Sequence, residues 1–189
     1  EGGHGVVVLS PNAIKRLSTF HPERPMPKIF RLVKNGKLIE GVYEGETLNT
    51  PSMFCVADAL DSLMWIKEIG GLTETIRRSN ENFKCLQSWV DKTPWIENLV
   101  SDPRNRSNTS VCLKFSDERL IPLTPDEKTR FVKEFVALLE AENAAFDIKG
   151  HRNAPPGLRI WCGATINLDD IQKLLPWLEY CFHEIISSY

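Results

Sequence analysis

The sequence lacks most of the short motifs that assign a chemistry directly. It contains no C-x-x-C pair, no glycine-rich phosphate loop, no metal-ligand spacing and no Ser-His-Asp arrangement. No apolar run approaches the ~18 residues that a membrane-spanning helix needs. The 189 residues carry a net charge of −2, whereas proteins that bind nucleic acids or membrane surfaces are usually basic. We therefore predict a globular protein that binds neither nucleic acid nor a membrane.

Cysteine is present, but its spacing gives no pattern. The five cysteines are far apart and odd in number: Cys55, Cys85, Cys112, Cys162 and Cys181. This predicts reduced and mostly buried thiols, as in proteins of the cytoplasm, rather than a disulfide framework.

The beginning of the chain also lacks something. The first residue is Glu1 rather than a methionine, and "EGGHGVVVLS" enters an apolar run almost at once. The continuous apolar stretch 5–9 predicts a strand buried on both faces, as in a parallel sheet. We therefore expect the chain to be a fragment that has lost residues upstream.

Two parts of α/β character follow from the pattern along the chain. In residues 1–94, the strand at 5–9 is followed by a short helix at 12–17 and a long irregular segment. Thr50 and Pro51 then suit the start of a helix that ends at Gly70-Gly71, and a second helix covers about 73–92. Residues 95–189 form a β-β-α-β-β-α pattern typical of a small α/β sandwich. The strands are predicted at 95–101, 109–115, 145–149 and 158–162. One helix follows the capping box at Thr124, and a last helix starts at Asp169.

The first candidate site is Asn49-Thr50-Pro51, at a predicted helix start. A helix N-terminus exposes N–H groups and a partial positive charge, which together can bind a phosphate group. The Asn and Thr side chains could add donors. The simpler alternative is an ordinary N-cap that binds nothing.

The second candidate site is the stretch "GHRNAPPGLRIW", which places His151, Arg152 and Arg159 close together in the sequence. Arg159 lies in a predicted strand among apolar neighbours, and a carboxylate matches its planar fork with two parallel hydrogen bonds. His151 and Arg152 add donors for a second anionic group, such as a phosphate. The alternatives are a solvated basic loop and, for Arg159, a salt bridge within the protein.

Three stretches together resemble a known family. "EGGHGVVVLSP", "LNTPSMF" before a long helix, and "KGHR…GLR" about a hundred residues later are similar to phosphoserine aminotransferase, a class V, fold-type I enzyme that depends on pyridoxal 5'-phosphate. The resemblance extends over the whole chain and corresponds to the C-terminal half of the family's length. It implies that residues 1–94 complete a large cofactor domain and that residues 95–189 form the small C-terminal domain.

The resemblance also implies roles for individual residues. Asn49 and Thr50 would contact the cofactor phosphate across the interface of a homodimer. His151 and Arg152 would bind the substrate phosphate, and Arg159 would bind the substrate α-carboxylate. The implied reaction transfers an amino group from glutamate to 3-phosphohydroxypyruvate in serine biosynthesis and gives 2-oxoglutarate and phosphoserine.

The chain also departs from the family pattern. Ile160-Trp161-Cys162-Gly163 follows Arg159 where many members have other residues, which indicates a divergent branch. No catalytic residue is expected in this chain, because the Schiff-base lysine of the family belongs upstream of Glu1, and the chain is expected to be inactive alone. Two other hypotheses remain: a non-catalytic regulatory module that binds a phosphorylated metabolite, and an interaction scaffold built on the helix pair 51–92.

Overall fold

The structure is a computed structural model that describes residues 7–47 and 50–189. The chain divides into two compact units, Glu1–Trp65 and Ile66–Tyr189. The sequence-based division near residue 94 stays a prediction. The first part of the strand predicted at 5–9 lies outside the described residues, and residues 7–9 are not in a strand.

The first unit is built from short elements. Helix α1, Pro11–Thr19, begins at Ser10, whose side chain accepts a hydrogen bond from the N–H of Ala13 at 3.2 Å. This confirms the predicted short helix, which is slightly longer than expected. Strands β1, Val33–Lys34, and β2, Lys37–Leu38, form an antiparallel hairpin, flanked by the 3-10 turns Lys28–Phe30 and Glu40–Tyr43.

Two long helices follow. Helix α2 covers Met53–Glu68, and helix α3 covers Gly71–Val90. Gly70, which precedes α3, and Gly71, its first residue, have positive φ angles of 116° and 72°, a conformation that costs glycine little because it has no Cβ. The predicted helix break at this pair is therefore confirmed.

The second unit contains one antiparallel sheet in the order β3-β4-β5. Its strands are β3, Ile96–Asn98, β4, Ser110–Phe115, and β5, Leu158–Trp161. A fourth strand predicted at 145–149 is wrong, because only Lys149 forms an isolated bridge, to Leu158. Asp147 has a φ of 53°, and this left-handed conformation interrupts an extended chain.

Helices cover one face of this sheet. Helix α4, Pro125–Ala141, begins with the predicted capping box, in which Thr124 and Glu127 bond to each other's backbone N–H groups. Helix α5, Leu168–Ile186, packs against α3 and α4. The core-facing residues of β4 and β5 are at most 4% exposed: Val111, Leu113, Leu158 and Ile160. The α/β fold class predicted from the sequence is confirmed.

Candidate functional site

The alternation of strand β5 places Arg159 on the face of the sheet opposite the core. Leu158 and Ile160 are buried. Arg159, which lies between them, is half-buried, and Trp161, which follows them, is exposed. Successive side chains of a strand point to opposite faces, so Arg159 and Trp161 share one face. Cys112 of β4 lies directly across from Arg159 in the register of the two strands. We call this side, formed by Ser110, Cys112, Lys114, Arg159 and Trp161, the open face of the sheet.

The guanidinium of Arg159 has one ionic partner among the described residues. Its Nη2 lies 3.7 Å from Oδ2 of Asp147, and the two side chains are 39% and 91% exposed. That distance is too long for a hydrogen bond, and exposed ion pairs contribute little stability. No hydrogen bond joins the Arg159 side chain to another described residue, so its N–H donors are available to a ligand.

A cavity of about 390 Å³ lies beside this guanidinium. Arg159 and Trp161 of β5 form part of its lining, together with Ser110, Phe146, Asp147 and Ile148. The cavity therefore combines a guanidinium with the exposed carboxylate of Asp147, a hydroxyl group and apolar side chains that include two aromatic rings. A small molecule with a carboxylate and a short apolar part would fit it by taking the place of the Asp147 carboxylate at the guanidinium.

His151 and Arg152 line a second cavity, of about 270 Å³. They belong to a loop that is closed at its base by a hydrogen bond from the N–H of Gly150 to the carbonyl of Gly157, at 2.9 Å. Within the loop, Nδ1 of His151 accepts a hydrogen bond from the N–H of Asn153 at 3.2 Å. Both predicted donors are exposed, and neither side chain is engaged by a described carboxylate.

Lys149 also lines this second cavity, and the first turn of α4 closes it with Asp126 and Thr129. Lys149 is not among the site residues predicted from the sequence. Its single signal there is its position directly before Gly150 in "KGHR". Three cationic or donor side chains beside one small cavity favour an anion such as phosphate.

The two cavities have no lining residue in common. The structure therefore brings His151 and Arg152 together, and it places Arg159 at a separate cavity. Convergence of all three on one ligand stays a prediction.

The turn after β5 is fixed by a buried side chain that is not among the predicted functional residues. Asn82 of α3 is 1% exposed, and its amide nitrogen lies 2.9 Å from the carbonyl oxygen of Ile166, 3.3 Å from that of Cys162 and 3.4 Å from that of Gly163. Because these partners are 80 or more positions away along the chain, no local pattern could have revealed the contact.

At the first predicted site, the start of α2, the capping residue differs from the predicted Thr50. The helix begins at Met53, and Ser52 caps it, since its Oγ accepts a hydrogen bond from the N–H of Cys55 at 3.4 Å. The predicted N-cap role of Thr50 is therefore wrong. Thr50 lies exposed two residues before Ser52, without a hydrogen bond from its side chain to another described residue. Asn49 lies outside the described residues.

The two buried cysteines of the second unit, Cys162 and Cys181, are not activated thiols. Burial, with a smaller effect from the nearby thiol of Cys85, raises the pKa of Cys162 to about 12, and burial raises the pKa of Cys181 to about 11. Thiols with these pKa values stay protonated near neutral pH. The described part of the chain contains no group of three side chains that could bind a metal ion, and no helix in residues 7–47 and 50–189 is long and apolar enough to cross a membrane.

The sequence and the fold were compared with those of known proteins. No family model matches the chain. It is 45% identical over 184 residues to a phosphoserine aminotransferase of Methanosarcina mazei, covering 96% of this chain and 46% of that protein. It is 44% identical over 185 residues to the phosphoserine aminotransferase of Methanosarcina barkeri, covering 97% of this chain and 47% of that protein.

Solved structures agree at the level of the fold. A phosphoserine aminotransferase from Bacillus circulans subsp. alkalophilus matches 76% of this chain and 36% of its own chain, with a TM-score of 0.62 and 22% identity. A phosphoserine aminotransferase from Trichomonas vaginalis, solved with bound PLP, matches 73% of this chain and 36% of its own, with a TM-score of 0.60 and 22% identity. The chain therefore belongs to the phosphoserine aminotransferase family, and it spans about half the length of the curated relatives that it matches.

Proposed function

We propose that this chain acts as the C-terminal half of a phosphoserine aminotransferase. The intact enzyme would consist of this chain together with the half that its relatives have in addition. It would transfer the amino group of glutamate to 3-phosphohydroxypyruvate, with 2-oxoglutarate and phosphoserine as products. We infer that it works as a cytoplasmic homodimer and that this half is inactive alone, since the cofactor lysine is expected in the other half.

The observation that carries this proposal is the position of Arg159. Its guanidinium points away from the core, lines a cavity, and has only a long contact with an exposed carboxylate among the described residues. A substrate carboxylate could replace Asp147 and accept two parallel hydrogen bonds from the guanidinium. Holding the α-carboxylate in this way would fix the orientation of the bond that reacts.

The cavity lined by His151 and Arg152 supports a role for the loop 150–157 in binding a phosphate group. His151 and Arg152 line it beside Lys149, so a phosphoryl group would meet several donors within one small volume. In the other half of the reaction, the same donors would receive the distal carboxylate of glutamate. We infer that this cavity accepts both anions and that its donors favour the phosphorylated substrate, which carries more charge.

The residues at the start of α2 fit the phosphate of pyridoxal 5'-phosphate. The hydroxyl of Thr50 is exposed and unengaged by the described residues, and the helix that begins at Met53 has a partially positive N-terminus. Together with Asn49, Thr50 would donate hydrogen bonds to that group. When bound, the cofactor supplies the electron sink for the reaction, and this chain supplies contacts that position the cofactor and the substrate.

The proposal is tested by replacing Arg159 in the intact enzyme. Arg159→Leu should lower kcat/KM for glutamate and for phosphoserine by about 30- to 1000-fold, the effect of losing a paired, hydrogen-bonded charge. Arg159→Lys should lower kcat/KM less than Arg159→Leu does, because lysine keeps the positive charge but lacks the planar guanidinium that bonds to both carboxylate oxygens.

Lys114→Leu is the matched control. This substitution also removes a cation from the open face of the sheet. Lys114, however, is paired with Glu97 at 3.0 Å and does not line the Arg159 cavity. Equal kcat/KM values in the Arg159→Leu variant and the control would overturn the proposed role.

A further inference from the structure

Trp161 is a second side chain of the Arg159 cavity, and nothing in the proposed function uses it. It lies two positions after Arg159 on the same face of β5, roughly 7 Å along the strand. Its side chain is large and apolar, yet 51% of Trp161 is exposed. The guanidinium of Arg159 makes no hydrogen bond within the described residues, and the indole beside it is half exposed. The exposure of so large an apolar side chain next to an available cation needs a physical explanation.

Two contacts fix the orientation of this indole. Its Nε1–H donates a hydrogen bond to Oγ1 of Thr165 at 3.0 Å. Its ring also lies over Gly163, because a Cβ on that glycine would lie 2.2 Å from Cζ2 and 2.4 Å from Cε2 of Trp161. Any side chain at position 163 would therefore push the ring out of its place.

The backbone beneath the ring is itself held. Asn82 donates to the carbonyls of Cys162, Gly163 and Ile166, and the N–H of Ile166 donates to the carbonyl of Gly163 at 3.1 Å. The indole thus rests on a turn that is anchored to helix α3. Since its support is fixed, the ring loses little conformational entropy when a ligand packs against it.

We propose that Trp161 is a specificity-determining residue of the Arg159 cavity. This inference rests on the proposed function of Arg159. The indole forms a fixed apolar wall beside the carboxylate-binding guanidinium, and it contacts the aliphatic part of a short-chain amino or oxo acid. It also excludes water from the ion pair, which strengthens the attraction between the two charges. The wall therefore sets how large a chain the cavity accepts.

Phe146 lines the same cavity and is 64% exposed, but no ring contact or hydrogen bond holds it within the described residues. The two aromatic side chains therefore differ in how firmly the surrounding residues hold them. Trp161 acts as the fixed wall, and Phe146 as an adjustable one.

The first experiment measures substrate selectivity in the intact enzyme. The probes are glutamate and 2-aminoadipate, which differ by one methylene group. Trp161→Ala should raise the ratio of kcat/KM for 2-aminoadipate to that for glutamate by about tenfold, the usual effect of one methylene in an apolar pocket. Trp161→Phe should give a smaller rise. Trp177→Ala is the matched control, since Trp177 is a partly exposed tryptophan of α5 that does not line the cavity.

The second experiment is a double-mutant cycle with Gly163. Gly163→Ala should raise the KM for glutamate by about tenfold, because it displaces the indole from the cavity. In the Trp161→Ala background the same substitution should change KM by less than about twofold, because no ring remains to be displaced. An effect of Gly163→Ala that acts on the backbone of the turn and not on the indole would be the same in both backgrounds.

The outcomes separate this inference from the proposed function. If Arg159→Leu lowers kcat/KM but the Trp161 variants leave the selectivity ratio at the control value, the inference is wrong and the proposed function stands. Additive effects in the double-mutant cycle would also overturn it. If Arg159→Leu has no effect, the proposed function fails first.

Discussion

Gly157 packs directly against the backbone of Leu113. A Cβ added to Gly157 would lie 2.2 Å from the carbonyl oxygen of Leu113 and 3.3 Å from its carbonyl carbon. Gly157 closes the loop that bears His151 and Arg152, and Leu113 belongs to the central strand β4. The absence of a side chain at position 157 therefore lets the loop approach the middle of the sheet.

This contact predicts that Gly157→Ala destabilises the protein by about 1–3 kcal/mol, because a backbone carbonyl cannot move aside as a flexible side chain could. Urea unfolding of the intact enzyme measures the free energy. Gly150→Ala is the control on the opposite side of the loop base, where a Cβ would meet its nearest atom, the Gly157 carbonyl oxygen, at 3.2 Å. A larger loss for the Gly150 variant would contradict the prediction.

The buried amide of Asn82 gives a second prediction. Asn82→Leu should lower the free energy of unfolding by about 2–4 kcal/mol, since it leaves buried carbonyls of the turn without their donor. The neighbouring Asn80 is exposed and accepts one hydrogen bond, from Asn108 at 2.8 Å. Asn80→Ala should cost at most about 1 kcal/mol. Similar unfolding midpoints for the two variants would refute the role given to Asn82.

The ion pair between Asp117 and Arg119 gives a dependence on pH. The guanidinium of Arg119, which contacts both carboxylate oxygens at 2.8 and 2.9 Å, lowers the pKa of Asp117 below its ordinary value of 3.8. A carboxyl group whose pKa is lower in the folded state stabilises that state above its unfolded pKa, and the stabilisation is lost as the pH falls through the folded pKa. The melting temperature should therefore drop more steeply below about pH 4 in the unaltered enzyme than in Asp117→Asn. Parallel curves would show that this pair has no such effect.

The buried thiol of Cys162 gives a fourth prediction. Because Cys162 is 0% exposed and its pKa is raised to about 12, almost none of it is thiolate at about pH 8. Iodoacetamide should leave Cys162 unmodified in the native enzyme and modify it readily after unfolding in urea. Mass spectrometry of the digested protein measures both. Rapid labelling of the native protein at this residue would contradict the burial.

Local patterns in the sequence predicted those elements that depend on neighbouring residues. Thr124 and Glu127 are three positions apart, so their capping box is visible in the sequence and is confirmed. Strand β5 is equally local, and its predicted range 158–162 agrees with Leu158–Trp161. Which face of the sheet carries Arg159 was not predicted. In contrast, Ser52 rather than Thr50 caps α2, because two good capping residues stand two positions apart and their sequence does not determine which one is used.

Features that depend on contacts between distant residues were not predictable in the same way. The strand expected at 145–149 has a suitable composition, but Asp147 adopts a left-handed conformation beside Arg159. The contact between Asn82 and the turn after β5 joins positions 80 or more residues apart. The turn that supports the indole of Trp161 is held by that same distant contact, so residues 161–165 alone did not reveal how the ring is placed.

The alternation within strand β5 limits which sequence changes the family can tolerate here. Its four residues point in turn to the hydrophobic core and to the cavity. Insertion or deletion of one residue within the strand would therefore turn core side chains into the cavity and cavity side chains into the core, and would disrupt both. Evolution can alter the length of the loop 150–157 or replace one side chain at a time. We therefore expect divergent relatives to change substrate preference through point substitutions at position 161, with the spacing to Arg159 unchanged.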